Sequence, residues 1–187
     1  MNRGDEISMI YADNAATTKL DEEAFAAMRP FLLENYANIS QPYSFSRLAK
    51  LAVKNARITI AGCIGAQPEE IYFTSCGTES DNCVIKSNIM HGNTRGIITS
   101  EIEHHAILNS CVTVGRRGVS VNYLKVDSNG LIKPEILKRS ISHQIGLVSI
   151  MMVNNEIGTI EPIKELATIA HLYGVAFHTD AVQAVGH

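Results

Sequence analysis

Short apolar runs, each followed by a stretch of helical character, recur from residue 71 onwards and constrain the fold more than anything else in this chain. The runs are Ile71–Thr74, Gly96–Thr99, Ser120–Lys125, Gly146–Val153 and Val175–His178. Several lack period-two alternation, as expected of strands whose two faces are both covered by helices. Helical patterns occupy residues 78–90, 104–115, 134–142 and 162–173. Such alternation predicts an α/β fold, a three-layer α/β/α arrangement around a mostly parallel sheet with right-handed crossovers. Ahead of it, residues 20–35 and about Ser44 to Ile64 read as two further helices. Asp21, Glu22 and Glu23 suit a helix N-terminus, while Ala24, Phe25, Met28, Phe31 and Leu32 can share one face. At 187 residues and 45% hydrophobic, the chain is long enough to bury a substantial core.

Composition removes several classes of function. A net charge of -3 offers no electrostatic case for a nucleic-acid or membrane partner. The opening Met1–Glu6 runs into turn-rich sequence without the apolar stretch of a signal peptide, and no run is long enough to cross a bilayer. Cys63, Cys76, Cys83 and Cys111 form no C-x-x-C pair, so neither a metal site nor a disulfide framework is expected. Reduced thiols in a cytoplasmic protein is the simplest reading.

The segments after the strands carry the chemistry, because a parallel sheet binds ligands at its carboxyl edge. Ser75-Cys76-Gly77-Thr78 precedes a helix whose free N–H groups suit a phosphate, with Gly77 allowing close approach and Thr78 offering a hydroxyl. On its own this stretch reads first as an ordinary capped turn. His104 and His105 open the next helix, where an imidazole can stack on a planar group or move protons; the plain alternative is one packed and one solvated histidine. Asn154-Asn155-Glu156-Ile157-Gly158 supplies amides suited to a phenolic oxygen, or equally to a turn. Asp180 comes after a strongly apolar strand, where an unpaired carboxylate is costly and needs a cationic or hydrogen-bonding partner. Such an acid suits a protonated heterocyclic nitrogen, as in pyridoxal phosphate enzymes, and Gln183 can face the same ligand if a helical turn begins there. An N-cap role for Asp180 is the competing explanation.

Taken together these residues resemble the cysteine desulfurases, within the class V group of fold-type-I pyridoxal phosphate enzymes. The resemblance runs in order through Tyr11–Thr18, Phe73–Asn82, Glu103–Leu108, Val153–Gly158 and His178–Gln183. It implies pyridoxal 5'-phosphate as cofactor, with Gly77 and Thr78 on the phosphate. His104 would stack on the ring and assist catalysis, Asn155 and Gln183 would contact the phenolic oxygen, and Asp180 would hold the ring nitrogen protonated. It implies L-cysteine as substrate and sulfur passing through an enzyme persulfide to an acceptor protein for iron–sulfur cluster or thio-cofactor assembly. A homodimer is implied as well.

Two departures temper these expectations. The family's Schiff-base lysine lies beyond Asp180, and no lysine occupies the seven residues after it. Residues 1–187 are therefore expected to be the N-terminal part of the large domain, with 1–18 packing against the small domain, and to be inactive alone. The alternatives are a non-catalytic module, or a parent that is a selenocysteine lyase or another class V lyase. Cys76 stands where the family usually has glycine, which would burden the loop if the site required a positive φ.

Overall fold

The structure is a computed structural model that describes residues 9–90 and 95–186, apart from the side chains of residues 88–90. The first eight residues of the 1–18 segment thus lie outside the described residues. The chain divides into two compact units, Met1–Phe73 and Thr74–His187. Among the described residues no helix is long and apolar enough to cross a membrane.

In the first unit, α1 spans Glu22–Leu33 and α2 spans Arg47–Ile64, preceded by a single 3₁₀ turn at Ser44–Ser46. Asp21 caps α1 by accepting a hydrogen bond from the Ala24 N–H at 2.9 Å. Gly65 ends α2 in the left-handed conformation, at φ 69°, where a side chain would be strained. The apolar face expected of α1 exists, but Phe25, Met28, Phe31 and Leu32 are all exposed.

The predicted strand at Ile71–Thr74 does not form. That segment is irregular, and Tyr72 and Phe73 are exposed. High β-propensity is not enough where no neighbouring strand supplies a hydrogen-bond ladder, and none does among the described residues.

The second unit is the α/β body. It runs α3 (Gly77–Met90), β1 (Gly96–Ser100), α4 (His105–Gly115), β2 (Val121–Leu124), α5 (Pro134–Ser140), β3 (Ile145–Ser149), α6 (Ile163–Leu172) and β4 (Ala176–His178). The four strands form one sheet in the order β2-β1-β3-β4, and every pairing is parallel. Alternate residues of each strand feed two separate cores. Ile97 and Leu147 pack with Ile85 of α3 and with Ile107, Cys111 and Val114 of α4. Ile98 and Val148 pack on the other face with Leu137 of α5 and with Leu166, Ile169 and Ala170 of α6. The expected three layers are present. The run Gly146–Val153 is shorter as a strand than its composition suggests, although pairing continues beyond it: Met152 N–H donates to the Asp180 carbonyl at 2.8 Å.

Candidate active site

The carboxyl edge of this sheet gathers most of the predicted residues through the loops after β1, β3 and β4 and the N-terminus of α3. Gly77 is the first residue of α3. A Cβ there would lie 3.0 Å from Val182 Cγ2, so a side chain at this position would press on the segment after β4. Thr78, next along, is exposed. The preceding loop is tied by Glu79, whose Oε2 accepts from both the N–H and the hydroxyl of Ser75 at 2.6 Å. No non-glycine residue among those described has a positive φ, so Cys76 imposes no left-handed strain on this loop. Its thiol is held below the ordinary value, first by the N–H of Glu79 and then by the Ser75 hydroxyl.

His104 is the N-cap of α4, its Nδ1 accepting from Ala106 N–H at 3.2 Å. His104 and His105 are both exposed, not divided between core and solvent, because α4 turns its buried face one residue later, at Ala106 and Ile107. A cleft of about 370 Å³ brings His104 together with Asn155, alongside Glu101, Glu103, Leu108 and Ile157. Gly77, Thr78, Asp180 and Gln183 do not line it.

The two asparagines after β3 have different duties. Asn154 is buried and donates to the Ile102 carbonyl at 2.8 Å, while its Oδ1 accepts from the N–H groups of Glu156 and Ile157. That amide is spent on holding two loops together. Asn155 is half-buried and, among the described residues, donates to Glu156 Oε1 at 3.1 Å.

Asp180 is buried, 9% exposed, and its Oδ1 accepts from Val182 N–H at 3.0 Å. The capping role considered for this residue is therefore real, but it uses one oxygen only. Residues 182–186 form turns, and Gln183 is half-buried within them. Beside Asp180, the Thr179 hydroxyl is buried without a hydrogen-bond partner among the described residues.

Three groups beneath the edge were not expected to matter. Glu103 is buried, and both its carboxylate oxygens accept from Met151 N–H at 3.1 Å; Oε1 also accepts from the Ser100 hydroxyl at 2.6 Å. Burial pushes its carboxyl up to about 7, against the pull of those hydrogen bonds, and the charge on Asp180 adds to the rise. Asp81 of α3 is pushed up to about 6, by burial first and then by Asp180. His178 is lowered by burial, with Asp180 opposing. An acid next to His104, and another one turn into the helix after Gly77, were the available signals. Neither is distinctive until the fold brings them under one edge.

The arrangement fits pyridoxal 5'-phosphate on three structural grounds. A glycine-headed helix N-terminus suits a phosphate. A buried carboxylate at the sheet's carboxyl edge suits a protonated ring nitrogen. An exposed imidazole and an amide line a cleft that also includes Glu103, whose carboxyl senses the charge on Asp180.

Residues 10–187 match the family described as aminotransferase class-V. The chain is 49% identical to "Cysteine desulfurase IscS" of Dictyoglomus turgidum over 95% of its own length and 46% of that protein. It is 46% identical to "Cysteine desulfurase IscS" of Methanosarcina thermophila over 100% of its length and 46% of that relative. It thus spans about half the length of the curated relatives it matches. Among solved structures, a "NIFS-like protein" superposes with a TM-score of 0.89 at 38% identity, covering 93% of this chain and 49% of that one. Another, "SspA in complex with cysteine", gives a TM-score of 0.89 at 36% identity, covering 93% and 51%.

Proposed function

The chain belongs to the aminotransferase class-V family, and on that basis we propose that it forms part of the cofactor-binding large domain of a cysteine desulfurase that uses pyridoxal 5'-phosphate. The observation that carries the reading is Asp180: a buried carboxylate at the sheet's carboxyl edge, with one oxygen capping the next turn. Such a group is costly unless a cation meets it.

In this reading the N–H groups at the start of α3, with the Thr78 hydroxyl, bind the cofactor phosphate. Asp180 holds a proton on the ring nitrogen, and His104 stacks on the ring. Because His104 Nδ1 is occupied by the cap of α4, any proton it moves passes through Nε2. Asn155 and Gln183 contact the phenolic oxygen. The bound cofactor supplies an electron sink, whose strength depends on that ring proton.

The substrate is L-cysteine. The relatives' names support this over selenocysteine, and a solved neighbour is described in complex with cysteine. The whole protein converts it to alanine in a cytoplasmic homodimer, passing sulfur to an acceptor protein for iron–sulfur or thio-cofactor assembly. Residues 1–187 contain no lysine after Asp180, so taken alone they hold the cofactor non-covalently and turn over no cysteine.

The test is a titration of the 187-residue chain with pyridoxal 5'-phosphate, followed by absorbance and equilibrium dialysis. Saturable binding that Asp180→Ala weakens at least tenfold is expected. Binding indifferent to that change would defeat the assignment, and sulfide release from cysteine above the free-cofactor background would refute inactivity of these residues alone.

A further inference from the structure

Thr99 of β1, Ser149 of β3 and His178 of β4 share one register row of the sheet. Each lies two residues beyond Ile97, Leu147 and Ala176 respectively, so all three point to the α3/α4 side. Thr99 and Ser149 are fully buried. The apolar layer on that face thus gives way to a polar one directly below Asp180.

Ser149 Oγ lies 2.9 Å from His178 Nδ1. On the other side of the ring, His178 Nε2 lies 3.7 Å from Asp81 Oδ1, within ion-pair distance though longer than a hydrogen bond. Asp81 reaches in from α3, is 4% exposed, and makes no other ion pair among the described residues. The geometry is satisfied when Ser149 donates to Nδ1 and the Nε2–H is directed at Asp81.

The titratable groups facing this pair are few. Asp180 acts on both members from the end of β4. Glu103, after β1, is itself raised by burial first, then by Asp180 and more weakly by Glu161. Cys111 of α4 is pushed up to about 12, by burial first and then by Glu103, and stays a neutral thiol. Among the described residues, no lysine or arginine forms an ion pair with Asp81, Glu103 or Asp180.

Resting on the cofactor reading above, we propose that Asp81 and His178 are positioning residues for Asp180: they hold one proton between them, which keeps the pair neutral and leaves Asp180 charged to meet a cationic ring nitrogen. The coupling between the pair and Asp180 is reciprocal. A negative Asp180 favours the proton in the pair, so by linkage the proton in the pair favours a negative Asp180. With the proton present the cluster of Asp81, His178 and Asp180 carries one negative charge. Without it the cluster carries two, in a buried setting that penalises both.

The experiment is an NMR pH titration of the 187-residue chain carrying ¹⁵N-histidine and ¹³C-aspartate, with no cofactor present. The Asp81 carboxyl carbon and the His178 ring nitrogens should report a common titration step, and neutral His178 should be the Nε2–H tautomer. Asp180→Asn should move that step to lower pH, and Asp81→Asn should abolish the common step. Two independent steps in the unsubstituted chain, or a step that Asp180→Asn leaves in place, overturns the proposal; the first needs no variant to fold. Saturating pyridoxal 5'-phosphate should act like Asp180→Asn, because it compensates the same charge. Failure of the cofactor to bind, with the coupling to Asp180 intact, upholds the pair and strikes only the cofactor assignment. Binding that leaves the step unmoved strikes the positioning role.

Discussion

Glu103 binds two strand ends to each other: its carboxylate takes the Ser100 hydroxyl at the end of β1 and the Met151 N–H beyond β3. Glu103→Ala would leave that buried N–H unpaired, at about 1–3 kcal/mol, measurable by urea denaturation. Glu103→Gln separates charge from geometry. The folded carboxyl is raised from 4.5 to about 7, so the folded state holds a proton that the unfolded chain releases. The resulting stability is fully present below about 4.5 and is lost as pH rises towards 7. Wild-type stability should therefore fall relative to Glu103→Gln across that window. A pH-independent difference would contradict the raised carboxyl. His178, lowered by burial, contributes with the opposite sign, which is why the comparison is made between variants. At the same edge, Gly77→Val places a side chain against Val182. It should weaken pyridoxal 5'-phosphate binding roughly tenfold, equivalent to ~1.4 kcal/mol, as read by equilibrium dialysis.

Among elements, α1 depends on its cap more than on its packing. It buries no residue, and Asp21 satisfies one of its first N–H groups. Asp21→Ala should destabilise this helix by about 1 kcal/mol, seen as faster amide exchange confined to α1. Helices were legible because caps and 3.6-residue periodicity are local. Asp21 before α1 and Gly65 after α2 sit where capping chemistry puts them. The strand predicted at Ile71–Thr74 failed for the converse reason. Its residues favour extended backbone, yet a strand is defined by its neighbour. The β3 region shows the same limit: apolar composition continues through Val153, whereas the strand ends at Ser149.

For the whole molecule, burial is unevenly shared. Both hydrophobic cores belong to the unit Thr74–His187, and the other unit buries little beyond Ala49, Ala61 and Ile71. Native-state hydrogen exchange should accordingly protect β1 and β3 more strongly than α1 and α2. Equal protection would mean that the helical unit draws stability from contacts outside these residues.

Local sequence was enough for the α/β class, the helix ends and the order of the edge motifs, because periodicity, capping and turn chemistry act over a few residues. Folding alone settled that Asn154 is spent on Ile102 and that His178 stands between Ser149 and Asp81. Those contacts join residues far apart in the chain through strand order and register. Burial, which turns an ordinary carboxyl into a raised one, exists only once the layers have closed over it.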